Sequence, residues 1–478
     1  MAEIGDAAVL SGGKNLDLNA TADHEMSTTV TGGAAGAKVS ITPLAALSMS
    51  VNTTTARLGT GTALDLTGTY SSKAEQTSEV TTVATGQTQG DKVAVGASVG
   101  LTVAVDTVTA TVERDLDADT GVTVEASSIA RSSTSATASV AGGAKEDADG
   151  KPAGDPATPA TPGKTVDEQV KAKSDGGKGQ GKAAAAAAPA TPPPAGGSAT
   201  TKLDDTKAPP TTEEKKDDGT GNGGGVSVAA AVGVNVGINT TTASIAKGKK
   251  ISSTAGALKV KSAAQTDAKA KADGSQVNGG NTDVGVGAAV ALNVGVGTNV
   301  AVIGDNADVD TKGVTVQAVM AVTPASGATP EDKTSEFGAD AKSGAGANNV
   351  GVAGALAVNA AINTTVAAIE GDKDASGAGA NVNATTAGGA GDVRVEAQSA
   401  TKSTVVSGAD VKMESDKAKV GIGASVGMNV AVNTTVAEIG DAAVLSGGKN
   451  LDLNATADHE MSTTVTGGAA GAKVSITP

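Results

Sequence analysis

A chain of 478 residues with 65 glycines, no tryptophan, one tyrosine (Tyr70) and one phenylalanine (Phe337) lacks the large side chains that fill an ordinary globular core. Its apolar content is mostly valine and alanine, so any interior must be thin and repetitive. A formal charge of −15 with no basic stripe excludes a phosphate-neutralising nucleic-acid surface, and the lack of cysteine excludes disulfide frameworks and thiolate metal sites.

The opening residues MAEIGDAAVL carry neither the basic nor the apolar region of a signal peptide. No uninterrupted apolar stretch of about 18 residues exists to form a transmembrane helix. Residues 1–38 read as a partial repeat unit that copies 436–473, with Met1 in place of Val436. The identity covers 2–43 and 437–478, as expected of a long tandem array entered in mid-repeat.

Within that period, strand-like runs open at Val39, Val93, Val226, Val284, Val350 and Val420, and again at Val474. They divide the chain into units 39–92, 93–140, 226–283, 284–349, 350–419 and 420–473, with 474–478 starting another. Large aliphatics take alternate places: Val226, Val228, Val232, Val234, Val236 and Ile238 in one run, Val420, Ile422, Val426, Met428, Val430 and Val432 in the last. The places between hold Gly, Ala, Ser, Thr or Asn. Alternation this strict is the period of a β-strand. The first thirteen residues of every run are uncharged. The aliphatic face is therefore expected to be core. The small-residue face is expected to be covered by a second layer or exposed to pack fibre against fibre.

Next in each run comes Asn52, Asp106, Asn239, Gly297, Asn363 or Asn433, followed always by threonine. The apolar phase changes across this pair, which predicts a bend or bulge. Amides stacked at one coil position bond along the axis. Asn52, Thr53, Asn239, Thr240, Asn363, Thr364, Asn433 and Thr434 are the expected structural ladder, with Asn235, Asn293, Asn359 and Asn429 earlier in the run. A Gly/Asp-rich turn follows, then a short motif: VTV at 122–124, LKV at 258–260, VTV at 314–316, VRV at 393–395 and LDL at 451–453. Turn, short strand, turn, short strand suits the stacked coils of a β-solenoid, an all-β repeat fold.

Residues 141–225 depart from this pattern, holding ten of the fourteen prolines together with AAAAAA, PPP and EEKKDD, and are expected to be a disordered insertion. A shorter segment, 319–349 with Pro324 and Pro330, reads as lying at the same point of its unit.

Catalytic chemistry is poorly provided for. His24 and His459 are one repeat position seen twice, and the many Ser and Thr hydroxyls have no base to activate them. Asp115, Asp117 and Asp119 in DLDADTG are a weak candidate oxygen cage for Ca²⁺. No other metal and no cofactor is expected, and a non-enzymatic role is. A membrane barrel is disfavoured because its aromatic girdles are missing.

The strings GIGASVGMNVAVNTTVAEIGD (421–441) and AVLSGGKNLDLNATAD (443–458) resemble repeats of giant bacterial surface adhesins of the filamentous-haemagglutinin-like and leukotoxin-like filamentous kind. The resemblance implies a right-handed parallel β-helix stalk, secreted and displayed at the bacterial cell surface. The long alternation leaves open a different architecture, an antiparallel β tube or sandwich. The expected function is a structural and adhesive repeat module of an extended extracellular fibre, or alternatively a self-assembling matrix or sheath filament. Expected partners are further tandem copies, lateral neighbours of its own kind, and a cell-surface or glycan receptor.

Overall fold

Each of the runs opening at Val226, Val284, Val350 and Val420 forms one uninterrupted 20-residue strand in the computed structural model, which describes residues 1–142, 225–276, 282–323, 332–371, 379–413 and 418–477. Most of the insertion expected at 141–225, and both Pro324 and Pro330, lie outside the described residues. The strands ladder in parallel and position for position: Val39 pairs Val93, Val93 pairs Val226, and so on through Val284, Val350 and Val420 to Val474. All seven starts read from the sequence thus fall in one column. We call this the front sheet.

The second motif opens strands equally long, not the short ones expected. Gly121–Gly142, Leu258–Gln276, Val393–Lys412 and Leu451–Ala470 form a parallel back sheet facing the front one. Between the sheets runs a narrow third ladder of three-residue strands, Leu64–Leu66, Leu116–Ala118, Lys250–Ser252, Asp308–Asp310, Asn381–Asn383 and Val444–Ser446. In the first two coils the back and front strands are continuous, Leu16–Leu58 and Thr69–Val112. The first turns its corner through a register shift around Gly36, whose φ of 77° suits glycine. Its repeat counterpart Gly471 has φ 82°. Among the described residues the only antiparallel pairings are the hairpin Thr385–Thr386 with Gly389–Ala390 and the bridge Thr323–Asp332. The fold is therefore a parallel β-solenoid, and the antiparallel tube or sandwich is overturned. No helix among the described residues is long and apolar enough to cross a membrane.

The burial of the two strand faces is the reverse of the expectation. In Val226–Ile245 the small residues Ser227, Ala229, Ala231, Asn235 and Asn239 are buried, while Val228, Val232, Val234, Val236 and Ile238 point outward. The reason is sheet spacing. A Cβ added to Gly285 would lie 2.5 Å from the Gly346 carbonyl oxygen, and one on Gly233 would strike the Lys271 carbonyl. At most inward places of the front strands, backbones this close leave room for hydrogen, methyl and small polar groups, so the aliphatics there are forced to the exterior. Where the back sheet sends in the bulky Phe337, the front place it meets is Gly295.

The phase change at the Asn-Thr pair has the same origin and is not a bulge. Pairing runs through it without a register shift, and burial keeps alternating. Beyond it the front and back sheets diverge to admit the narrow ladder, and the inward places fill with Leu58, Val112, Ile245, Ile303 and Ile369. These pack on Leu64, Leu116, Ile251, Val309 and Val382 of the narrow ladder and on Val124, Val260, Val316 and Val395 of the back sheet. One large aliphatic core therefore occupies the wide edge of a wedge whose thin part is lined by alanine. At the wide edge the fully buried Arg114 donates to four backbone carbonyls, those of Gly59, Ala8, Gly5 and Thr60. Its guanidinium ties together the turns of adjacent coils.

The 319–349 segment is not in register with the large insertion. Most of its later half is the back strand Ser335–Gly346, and the break in the back sheet lies between Met320 and Ser335, opposite Gln265, Thr266 and Asp267. The 141–225 segment instead leaves from the thin corner, between Gly121–Gly142 and Val226–Ile245.

Candidate functional site

Three features distinguish this scaffold: an internal amide ladder, a polar cluster on the back sheet, and the outer face of the front sheet. The ladder runs through Asn235, Asn293, Asn359 and Asn429, at one position of four successive coils. Each Nδ2 donates to the next Oδ1 at 2.9, 2.7 and 3.0 Å. Asn235, Asn293 and Asn359 are fully buried, and the ladder is tied to the back sheet through Ser132 and Ser403. In the first two coils Ser48 and Thr102 hold the same column, linked through Thr82.

The second expected column behaves differently. Asn52 donates to Asp106 at 2.9 Å, but Asn239 accepts from Ser128 and donates to Thr266, across the sheets. Gly297 interrupts the column, and the buried Asn363 Nδ2 has no hydrogen-bond partner among the described residues. Thr401 reaches Asn433 from the back sheet at 3.4 Å. The threonines that follow, Thr53, Thr240, Thr364 and Thr434, face outward, edging the aliphatic field of the front sheet. They do not belong to the internal ladder.

Asp115, Asp117 and Asp119 project outward at alternate places around the narrow strand Leu116–Ala118. Asp115 Oδ1 accepts the Lys250 amide at 2.9 Å. Among the described residues no group of three or more His, Asp or Glu side chains is placed to hold a metal ion, so the acidic turn is not brought together as a cage. His459 bonds Thr401 through Nδ1 at 2.7 Å.

Sequence reasoning missed the cluster at the break in the back sheet between Met320 and Ser335. Arg131 Nε lies 3.5 Å from Asp267 Oδ2, its Nη2 donates to Thr323 Oγ1, and Thr323 donates to Gln265 Oε1 at 2.6 Å. The Glu336 amide donates to Asp267 Oδ1 at 2.9 Å, and Lys269 pairs Glu336 at 2.6 Å. These residues are far apart in sequence and only the coil register unites them. Burial pushes the Asp267 carboxyl up to about 7, against the lowering influence of the Glu336 amide and Arg131. Burial also raises the Asp106 carboxyl, against hydrogen bonds from Asn52, Ser78 and Gln76.

These two groups set a pH dependence. With a folded-state pKa above the unfolded one, each aspartate binds more protons folded than unfolded between those values. Stability should therefore rise as pH falls from about 7 toward the ordinary aspartate value near 4. Urea midpoints measured at pH 7.5 and 5 check this, and Asp267→Asn with Asp106→Asn should remove most of the slope.

The third feature is a surface with no counterpart on the other side. From the first to the thirteenth residue of each front run, every outward place holds Val, Ile, Leu, Met, Ala, Pro or Gly. The back sheet's exterior is charged instead; there Glu125 pairs both Lys73 and Lys259 on flanking coils. The chain is thus a two-faced slab. No family model, curated protein or solved structure matches it.

Proposed function

We propose that this chain is a non-catalytic structural and adhesive module of an extended extracellular bacterial fibre. The observation that carries the reading is the position-for-position parallel stacking of coils from Val39 to Val474, reinforced by an axial amide ladder. Residues 2–43 and 437–478 have the same sequence, so the ladder rules that lay Val474 on Val420 can be repeated by further copies of the period. Axial hydrogen bonds resist pulling along the stack, which is the property a stalk needs. The likeness of 421–441 and 443–458 to surface-adhesin repeats supports placement outside a bacterial cell, with a cell-surface or glycan receptor as its target. A second reading, a self-assembling matrix or sheath filament, is favoured by the uncharged outer face of the front sheet.

The geometry predicts a ribbon, not a thin rod. A 20-residue strand is about 65 Å long, and six coils at about 4.8 Å rise roughly 29 Å along the axis. Electron micrographs of chains carrying one, two and three periods should show constant width and a length growing by about 29 Å per period. Separate globules on tethers would overturn the proposal.

A further inference from the structure

The front sheet's outer face is too large and too uniform to be an incidental feature of a monomer. Thirteen residues at about 3.3 Å and six strands at about 4.8 Å span roughly 40 by 29 Å, or about 1,150 Å². The largest apolar patch on a typical monomer is about 300–600 Å². Its members are open to solvent even in interior coils: Val99 is 42% exposed, Val294 38% and Ile362 43%. No charged side chain interrupts it between the start of each run and the bordering threonines.

We propose that this face docks a second copy of this chain, front sheet against front sheet. Three observations select that occupant. First, the area exceeds the roughly 800 Å² that each partner contributes to a standard stable interface. Second, the relief is self-complementary. From the second coil to the sixth, the column Ala97, Ala230, Ala288, Gly354 and Ala424, which Pro43 heads, is a small-residue row between two rows of mostly valine. A two-fold axis can place the row of larger side chains of one copy over the small-residue row of the other. Third, the ridges repeat at the strand spacing along the axis, a period that another ladder of this chain matches coil for coil. Polar ligands find nothing to bond. A lipid surface is disfavoured because a membrane-lying face carries Trp and basic residues, whereas this chain has no tryptophan and a net charge of −15. The charged back sheet would remain outward in the pair, keeping it soluble. The inference rests on the parallel stacking of the front strands and is independent of the proposed fibre function.

The test is sedimentation of the full chain over about a hundredfold dilution around micromolar concentration. The wild type should be dimeric at the upper end. The triple variant Val99→Lys, Val294→Lys and Ile362→Lys should associate at least about 100-fold more weakly with an unchanged circular dichroism spectrum. Back-face substitutions Thr77→Lys and Thr404→Lys should leave association at the wild-type level. A wild type that stays monomeric throughout, or a triple variant that associates as tightly, overturns the proposal. So does a monomer that floats with phosphatidylcholine vesicles and loses that binding in the triple variant. A monomer whose tandem forms still lengthen as ribbons removes only the pairing and leaves the fibre module standing.

Discussion

Replacing Gly287 with valine should cost about 4 kcal/mol or more, whereas Ala288→Val, one residue along, should cost less than about 1 kcal/mol. Gly287 faces inward between Ala229 and Ala353, both buried. A Cβ there would meet the Gly274 carbonyl oxygen at 2.8 Å and the Gly344 carbonyl closer still. Those carbonyls belong to two neighbouring back strands, Leu258–Gln276 and Ser335–Gly346, each held in register on both sides. Flexible side chains can move aside; laddered backbone cannot, so the front strand itself must shift. Ala288 points outward, where extra methyl groups meet solvent or a docked neighbour. Urea unfolding of both variants settles the ranking. The opposite ranking would mean that the aliphatic face is the inner one.

Removing one rung of the amide ladder should be nearly as damaging. Asn293→Ala is expected to cost about 3 kcal/mol, because it deletes two hydrogen bonds and strands two buried groups, the Asn235 Nδ2 and the Asn359 Oδ1. Ser132 can keep the first partly satisfied, and nothing comparable faces the second within the ladder. In a solenoid, stability is close to a sum of coil and neighbour terms. The loss should therefore localise: hydrogen exchange should accelerate at Val284–Ile303 and its two neighbours and stay unchanged at Leu64–Leu66. Thr298→Ala, on the outward face, should move the urea midpoint very little. Equal effects at Asn293 and Thr298 would deny the ladder its structural role.

Much of this architecture was legible because coil register depends on repetition, which a sequence displays openly. The starts at Val39 through Val474 share one column, and the VTV, LKV, VRV and LDL motifs share another. The amide column of Asn235, Asn293, Asn359 and Asn429 was equally visible. What misled was the equation of large aliphatics with interior. That rule assumes sheets packed about 10 Å apart with side chains interdigitating. Here glycine and alanine let the backbones approach, and Val234 has no room inside. The long return strands stayed hidden for a related reason. In Val393–Lys412 the outward places carry Arg394, Glu396 and Lys402, and many inward ones only Ala or Ser, so the apolar alternation that marks a strand is weak. The Arg131–Asp267 cluster could not be found at all, since its members meet only through stacking of three coils.

Because the chain lacks cysteine, single cysteines placed at successive positions from Ala288 to Val294 report directly on which face of the front strand is outside. Thiol labelling, performed below the concentration at which copies associate, should be fast at Ala288, Val290, Leu292 and Val294. At Ala289, Ala291 and Asn293 it should be slower by about 100-fold or more, since those thiols are reached only by opening the ladder. Fast labelling at the small-residue positions with protection at the valines, or no alternation at all, would contradict the two-faced solenoid.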